Sequence, residues 1–123
     1  MSQPQAVPTI DVREADRRRR EGDPKPVTVD VREANEFADV RLEKDVVLVP
    51  LSEFAARFEE LPRDRPLLMM CAGGTRSAAA TGHLLRNGYA DVVNVAGGIK
   101  DWQAVGLPVK RGPVQPGEGQ LGG

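Results

Sequence analysis

Four short apolar runs, VTVDV (27–31), VVLV (46–49), PLLMMC (66–71) and DVVNV (91–95), recur between helix-forming stretches. A strand that is apolar along its whole length needs cover on both faces, as a parallel sheet between helices provides. A further short strand is expected near Pro8–Ile10, and helices over 11–21, 33–38, 52–60, 76–87 and 99–105. In the third helix Ser52 is placed to act as N-cap, and Phe54, Phe58 and Leu61 recur at i, i+4 and i+7 on one face. Asn87-Gly88 supplies a stop for the fourth. The fold class that follows is α/β: one domain with a central, mainly parallel sheet flanked by helices on both faces.

The pentapeptide DVREA occurs at 11–15 and again at 30–34, yet its flanks argue against an internal repeat. Asp11 and Glu14 have capping-box spacing before the polar, helix-prone DRRRREG. The second copy follows VTV and reads as the end of a strand. The same five letters are therefore expected to start a helix once and to leave a strand once.

At 123 residues the chain has room for one domain, and 40% hydrophobic with 28% charged residues is an ordinary globular composition. A net charge of -1 implies no overall attraction to nucleic acid or to an anionic membrane. The basic run Arg17–Arg20 is flanked by Asp16, Glu21 and Asp23 and reads as a solvated helix face. One cysteine and one histidine, Cys71 and His83, can build neither an intramolecular disulfide nor a cysteine-rich zinc site, so no metal and no cofactor is expected. A lone thiol suits a reducing compartment, and MSQPQAVPTI lacks the features of a signal peptide. VVLV and LLMMCA are too short to span a bilayer, so the expectation is a soluble, cytoplasmic protein. Beyond Pro108 the chain turns to KRGPVQPGEGQLGG, without apolar periodicity. Residues 111–123 are accordingly expected to form a flexible Gly/Pro-rich tail whose removal from 113 onward leaves folding and activity intact. The terminal Gly122-Gly123 is read as part of that tail rather than as a sulfur-carrier terminus.

The chemistry is concentrated in CAGGTRS, residues 71–77. A strand ending at Cys71, a glycine turn and a helix beginning near Arg76 put the cysteine at the carboxyl edge of the sheet, where open α/β folds bind ligands. Gly73 and Gly74 allow successive amides to turn inward as an anion-binding nest at a helix N-terminus. Such a nest, with Arg76, should lower the thiol pKa below the ~8.5 of a free cysteine without a histidine base. Ser77 can cap the helix or donate to the sulfur. The alternative is a small buried apolar residue that merely precedes two glycines, since cysteine is often fully buried.

With its surroundings the loop resembles the rhodanese-like sulfurtransferase family. The pieces that carry the resemblance are VTVDVREANEF (27–37), VVLVPL (46–51), LLMMCAGGTRSAAATGHLLRNGY (67–89) and VVNVAGGIKDWQAVGLPV (92–109), in that order. The resemblance implies a rhodanese-like domain over residues 8–110. It also implies that Cys71 is the catalytic cysteine and carries a persulfide. Ala72, Gly73, Gly74, Thr75 and Arg76 then surround the transferred sulfur, with Ser77, Asp30 and Arg32 as supporting groups. Gly97, Gly98, Trp102 and Pro108 match structural positions. One segment departs from the family pattern: ADVRLEKDVVLVPL has Arg41 near the expected histidine and lacks the Pro-Gly that follows it, so the rim of the pocket is expected to differ there.

The implied activity is transfer of a sulfane sulfur from thiosulfate or a persulfide donor to a thiol, a protein cysteine or cyanide. Two alternatives stand beside it. A phosphatase or arsenate reductase would place five residues between cysteine and arginine, whereas four separate Cys71 from Arg76. A non-catalytic binding module commonly lacks the cysteine that this chain retains.

Overall fold

A computed structural model describes residues 6–121. It contains the strands β1 (Thr9–Ile10), β2 (Val27–Asp30), β3 (Val46–Leu48), β4 (Leu67–Met70) and β5 (Val92–Val95). Between and after them run α1 (Val12–Glu21), α2 (Ala34–Asp39), α3 (Leu51–Arg57), α4 (Thr75–Arg86) and α5 (Gly98–Ala104), with one 3₁₀ turn at Phe58–Glu60. The strands form one sheet in the order β1-β5-β4-β2-β3, and every pairing is parallel.

Alternation along β4 divides the core. Leu67, Met69 and Cys71 point into a cluster with Phe54, Leu61 and Leu84, beneath α3 and α4. Leu68 and Met70 point into the opposite cluster with Val12, Phe37, Ile99 and Trp102, beneath α1, α2 and α5. Both faces of the central strand are thus covered, which is why its sequence carries no polar alternation. Trp102 anchors α5, with its ring 2% exposed and its Nε1–H donating to the Pro108 carbonyl at 2.9 Å. His83 is a packing residue, set edge-on to Phe58 and Phe54 at centroid distances of 4.6 and 5.7 Å. No described helix is long and apolar enough to cross a membrane.

The two DVREA segments diverge as expected. Asp11 caps α1 by accepting from the Glu14 N–H at 2.9 Å, but the Glu14 carboxylate turns to Arg17 and Arg18 instead of closing the box. In the second copy Asp30 ends β2, and at the start of α2 the Glu33 N–H donates to the Glu36 carboxylate at 3.1 Å. Ser52 is not the N-cap of α3, since that position falls to Pro50. The Ser52 hydroxyl instead donates to Glu33 at 2.7 Å, tying the start of α3 to the start of α2.

The reading of 111–123 as a flexible tail needs correction for residues 111–121, and Arg41 is the reason. Its side chain is fully buried. Its guanidinium donates to Glu118 at 2.9 and 3.1 Å and to the carbonyls of Gly112 and Pro113 at 2.9 and 3.1 Å. Arg41 and Lys110 pair through both backbone bonds, and the Leu48 N–H on the sheet edge donates to the Gly119 carbonyl at 2.8 Å. Gly119 fits because it has φ +76° and because a Cβ there would press on Phe37 and Leu48 at 3.1–3.2 Å. A count of apolar residues misses this segment because polar bonds to a buried cation and one strand-edge pairing hold it. Arg41 therefore serves the C-terminal segment and not the rim of the cysteine loop. The terminal Gly122-Gly123 and the first five residues lie outside the described residues.

Candidate active site

From β2 the chain moves outward to β3, and from β4 it moves the opposite way to β5. The carboxyl ends of β2 and β4 therefore flank the switch point, where a doubly wound sheet leaves a crevice. Cys71 follows β4 directly and is 1% exposed. Burial alone fits either reading of the cysteine; what surrounds the sulfur distinguishes them. The Gly74 N–H donates to Sγ at 3.0 Å, and the Ser77 hydroxyl lies 3.3 Å from it. Burial pushes the thiol up, but bonds from Ser77, Gly74 and Gly73 outweigh it, and the net shift is downward. The sulfur thus sits among hydrogen-bond donors that favour its charged form.

Glycine geometry makes the loop possible at two places. Gly74 caps α4 at φ +105°, in the left-handed region that side chains rarely adopt. Gly98, at φ +52°, lies so close beneath the loop that a Cβ would overlap the Cys71 carbonyl and the Ala72 backbone. That approach lets the first amides of α5 reach the loop: Ile99 N–H donates to the Cys71 carbonyl at 2.9 Å and Lys100 N–H to that of Ala72 at 3.1 Å. With those carbonyls drawn toward α5, the amides after them are free to face the sulfur. Replacing Gly98 by Ala should cost about 2–4 kcal/mol and loosen the cysteine loop. Chemical denaturation together with the alkylation rate of Cys71 measures both effects.

The other predicted residues divide into two groups. Ala72, Gly73, Gly74 and Thr75 do form the turn around Cys71; Gly73 faces open space, with nothing within 4 Å of a Cβ placed on it. A groove of about 640 Å³, lined in part by Gly74, Thr75, Ala78 and Ala79, opens beside them. Arg76 is turned to α2, where it forms a two-pronged pair with Glu36 at 2.7 and 2.9 Å. Asp30 and Arg32 form a separate buried pair, at 2.7 Å through Nη2. Arg32 also donates to the carbonyls of Glu36 and Val40, so this pair fastens α2 to the end of β2.

Two residues of the site were not singled out from the sequence. Asn94, on β5, is 5% exposed; its Nδ2 donates to the Gly74 carbonyl at 3.2 Å, which leaves its Oδ1 2.6 Å from the Ser77 hydroxyl. It thereby positions both the loop and the hydroxyl beside the sulfur. A polar residue inside the apolar run DVVNV was the available signal. Glu36 was hidden among other charges, and only the fold brings it to Arg76, 40 residues away. The hydroxyl of Ser77 has one proton for two acceptors, and a thiolate competes for it better than a thiol. Ser77→Ala should therefore move the pH midpoint of Cys71 alkylation upward, toward that of an ordinary thiol, as followed by iodoacetamide labelling.

Comparison with known proteins identifies the family. The rhodanese-like domain family profile matches residues 11–105. A protein named sulfurtransferase from Allochromatium vinosum is 36% identical over 81 residues, covering 66% of this chain and 75% of that protein. The thiosulfate sulfurtransferase GlpE of Pseudomonas savastanoi is 34% identical over 80 residues, 63% of this chain and 73% of its own length. Among solved structures, a rhodanese-related protein from Thermoplasma volcanium superposes with a TM-score of 0.72 at 33% identity, over 84% of this chain and 97% of that one. By its profile match, its parallel sheet and its relatives, the chain belongs to the rhodanese-like domain family.

Proposed function

We propose that this domain transfers sulfane sulfur through a persulfide on Cys71. The observation that carries the reading is the placement of polar donors around a buried sulfur: an ordinary core cysteine needs none, whereas a sulfur anion does. In the first half-reaction the Cys71 thiolate attacks the outer sulfur of thiosulfate, Cys–S⁻ + S–SO₃²⁻ → Cys–S–S⁻ + SO₃²⁻. The S–S bond of the donor breaks with its electron pair leaving on sulfite, and no oxidant is consumed. In the second, an acceptor thiolate or cyanide attacks the terminal sulfur and restores Cys–S⁻. A persulfide donor R–S–S⁻ serves the first step equally, with R–S⁻ as leaving group. A protein cysteine or small thiol would be the natural acceptor.

The loop's amides and the N-terminus of α4 supply partial positive charge for the persulfide anion at no reorganisation cost. Phosphoryl transfer is disfavoured by the short loop and by Arg76, whose guanidinium is engaged by Glu36 instead of arching over the turn. Steady-state kinetics with thiosulfate and cyanide test the proposal: parallel double-reciprocal lines are expected. Intersecting lines with thiosulfate, or no thiocyanate above the uncatalysed rate from both thiosulfate and a thiosulfonate donor, would contradict it.

A further inference from the structure

Two pairs of opposite charge lie between Cys71 and α2. Asp30 neutralises Arg32, and Glu36 neutralises Arg76. The second pair is a built feature and not a passing surface contact. The Glu36 carboxylate accepts both guanidinium nitrogens of Arg76 and also the Glu33 N–H at 3.1 Å. Its helix is anchored through Arg32, which donates to the Glu36 carbonyl at 3.2 Å. Bonding to Arg76 is the main cause that holds the Glu36 carboxyl at about 2, so it stays ionised through the neutral range. Arg76 lies in the first turn of α4, directly after the cysteine loop. Besides the exposed Lys100, whose N–H bonds the Ala72 carbonyl, the loop offers a donor the fractional charge of amides and of one helix end, suited to one negative charge more than to two.

Resting on the sulfurtransferase reading, we propose that Glu36 determines donor specificity: by cancelling Arg76 it favours singly charged sulfane-sulfur donors, organic persulfides or thiosulfonates, over the thiosulfate dianion. The guanidinium is the one side-chain cation within residues 71–77, and thiosulfate meets its uncompensated charge only by displacing the bidentate Glu36 carboxylate. A donor R–SO₂–S⁻ needs no such displacement. Its transfer balances as Cys–S⁻ + R–SO₂–S⁻ → Cys–S–S⁻ + R–SO₂⁻.

Methanethiosulfonate and thiosulfate form a suitable pair of probes, because they share the reacting sulfur and differ by one charge. The quantity read is the ratio of kcat/KM for thiosulfate to that for methanethiosulfonate. Wild type should favour methanethiosulfonate. Glu36→Gln, which frees Arg76, should raise the ratio about tenfold. Arg76→Gln, which leaves the carboxylate uncompensated, should lower it by a similar factor, and the double variant should return it near the wild-type value. Because the ordering spans three variants, poor folding of any single one leaves the others to decide. A ratio constant within about twofold across the folded variants would overturn the role of Glu36 while leaving sulfur transfer intact. Failure of wild type to accept sulfur from either donor would overturn the sulfurtransferase reading, and this inference with it.

Discussion

Cys71→Ser is expected to reduce sulfur transfer from every donor to the uncatalysed rate, a loss of about a thousandfold or more, while the domain stays folded. The two halves of that expectation have separate physical grounds. Serine cannot form a persulfide, and its hydroxyl is not ionised near neutral pH, so the covalent step disappears. The smaller oxygen still finds the Gly74 N–H and Ser77 hydroxyl that now bond to sulfur. A buried hydroxyl with partners costs little, about 1 kcal/mol here. Thiocyanate formation and thermal unfolding of the purified variant measure the two quantities. Retained turnover would mean that Cys71 is only a core residue.

Truncation after Lys110 is expected to produce the largest stability loss of any change outside the core. Glu118 and the carbonyls of Gly112 and Pro113 would be removed from a fully buried guanidinium, and the Leu48 N–H on the sheet edge would lose its acceptor. Stripping partners from a buried charge costs about 3–5 kcal/mol. Arg41→Leu in the same truncated chain should recover part of the loss, because the charge no longer needs compensation. Denaturant midpoints of the three proteins measure this. The ion pair also has a pH signature. Bonding to Arg41 is the main cause that lowers the Glu118 carboxyl from 4.5 to about 2. A depressed carboxyl stabilises the fold fully above its unfolded value, so this contribution should be complete above pH 4.5 and vanish as pH falls toward 2. Glu118→Gln should flatten that part of the stability profile.

The element order and the cysteine loop were legible in the sequence because both are written locally. Apolar runs of four to six residues mark strands buried on both faces, and Asn87-Gly88 marks the end of α4, with Gly88 at φ +88°. The turn at 72–74 carries its own signal in two glycines after a cysteine. What escaped depends on contacts distant in sequence. Arg41 sits 77 residues from Glu118, and its segment looked like an altered pocket rim because nothing nearby announces a buried clamp. Glu36 and Arg76, on α2 and α4, meet only because the switch point of the sheet brings those helices together. Asn94 lies on β5 and bonds the Gly74 carbonyl 20 residues back in the chain. Ser52 departs from expectation for a different reason. It has the chemistry of an N-cap, but the helix begins one residue earlier, and the hydroxyl found a carboxylate instead.

Intact-protein mass spectrometry after incubation with methanethiosulfonate or thiosulfate tests the central claim most directly. The chain has a single cysteine, so the result admits one location. One added sulfur atom is predicted in wild type, assigned to Cys71 by fragmentation, removed by cyanide and absent from Cys71→Ala. A mass unchanged after incubation with both donors, or an adduct that persists in Cys71→Ala, would contradict the assignment of sulfur transfer to this loop.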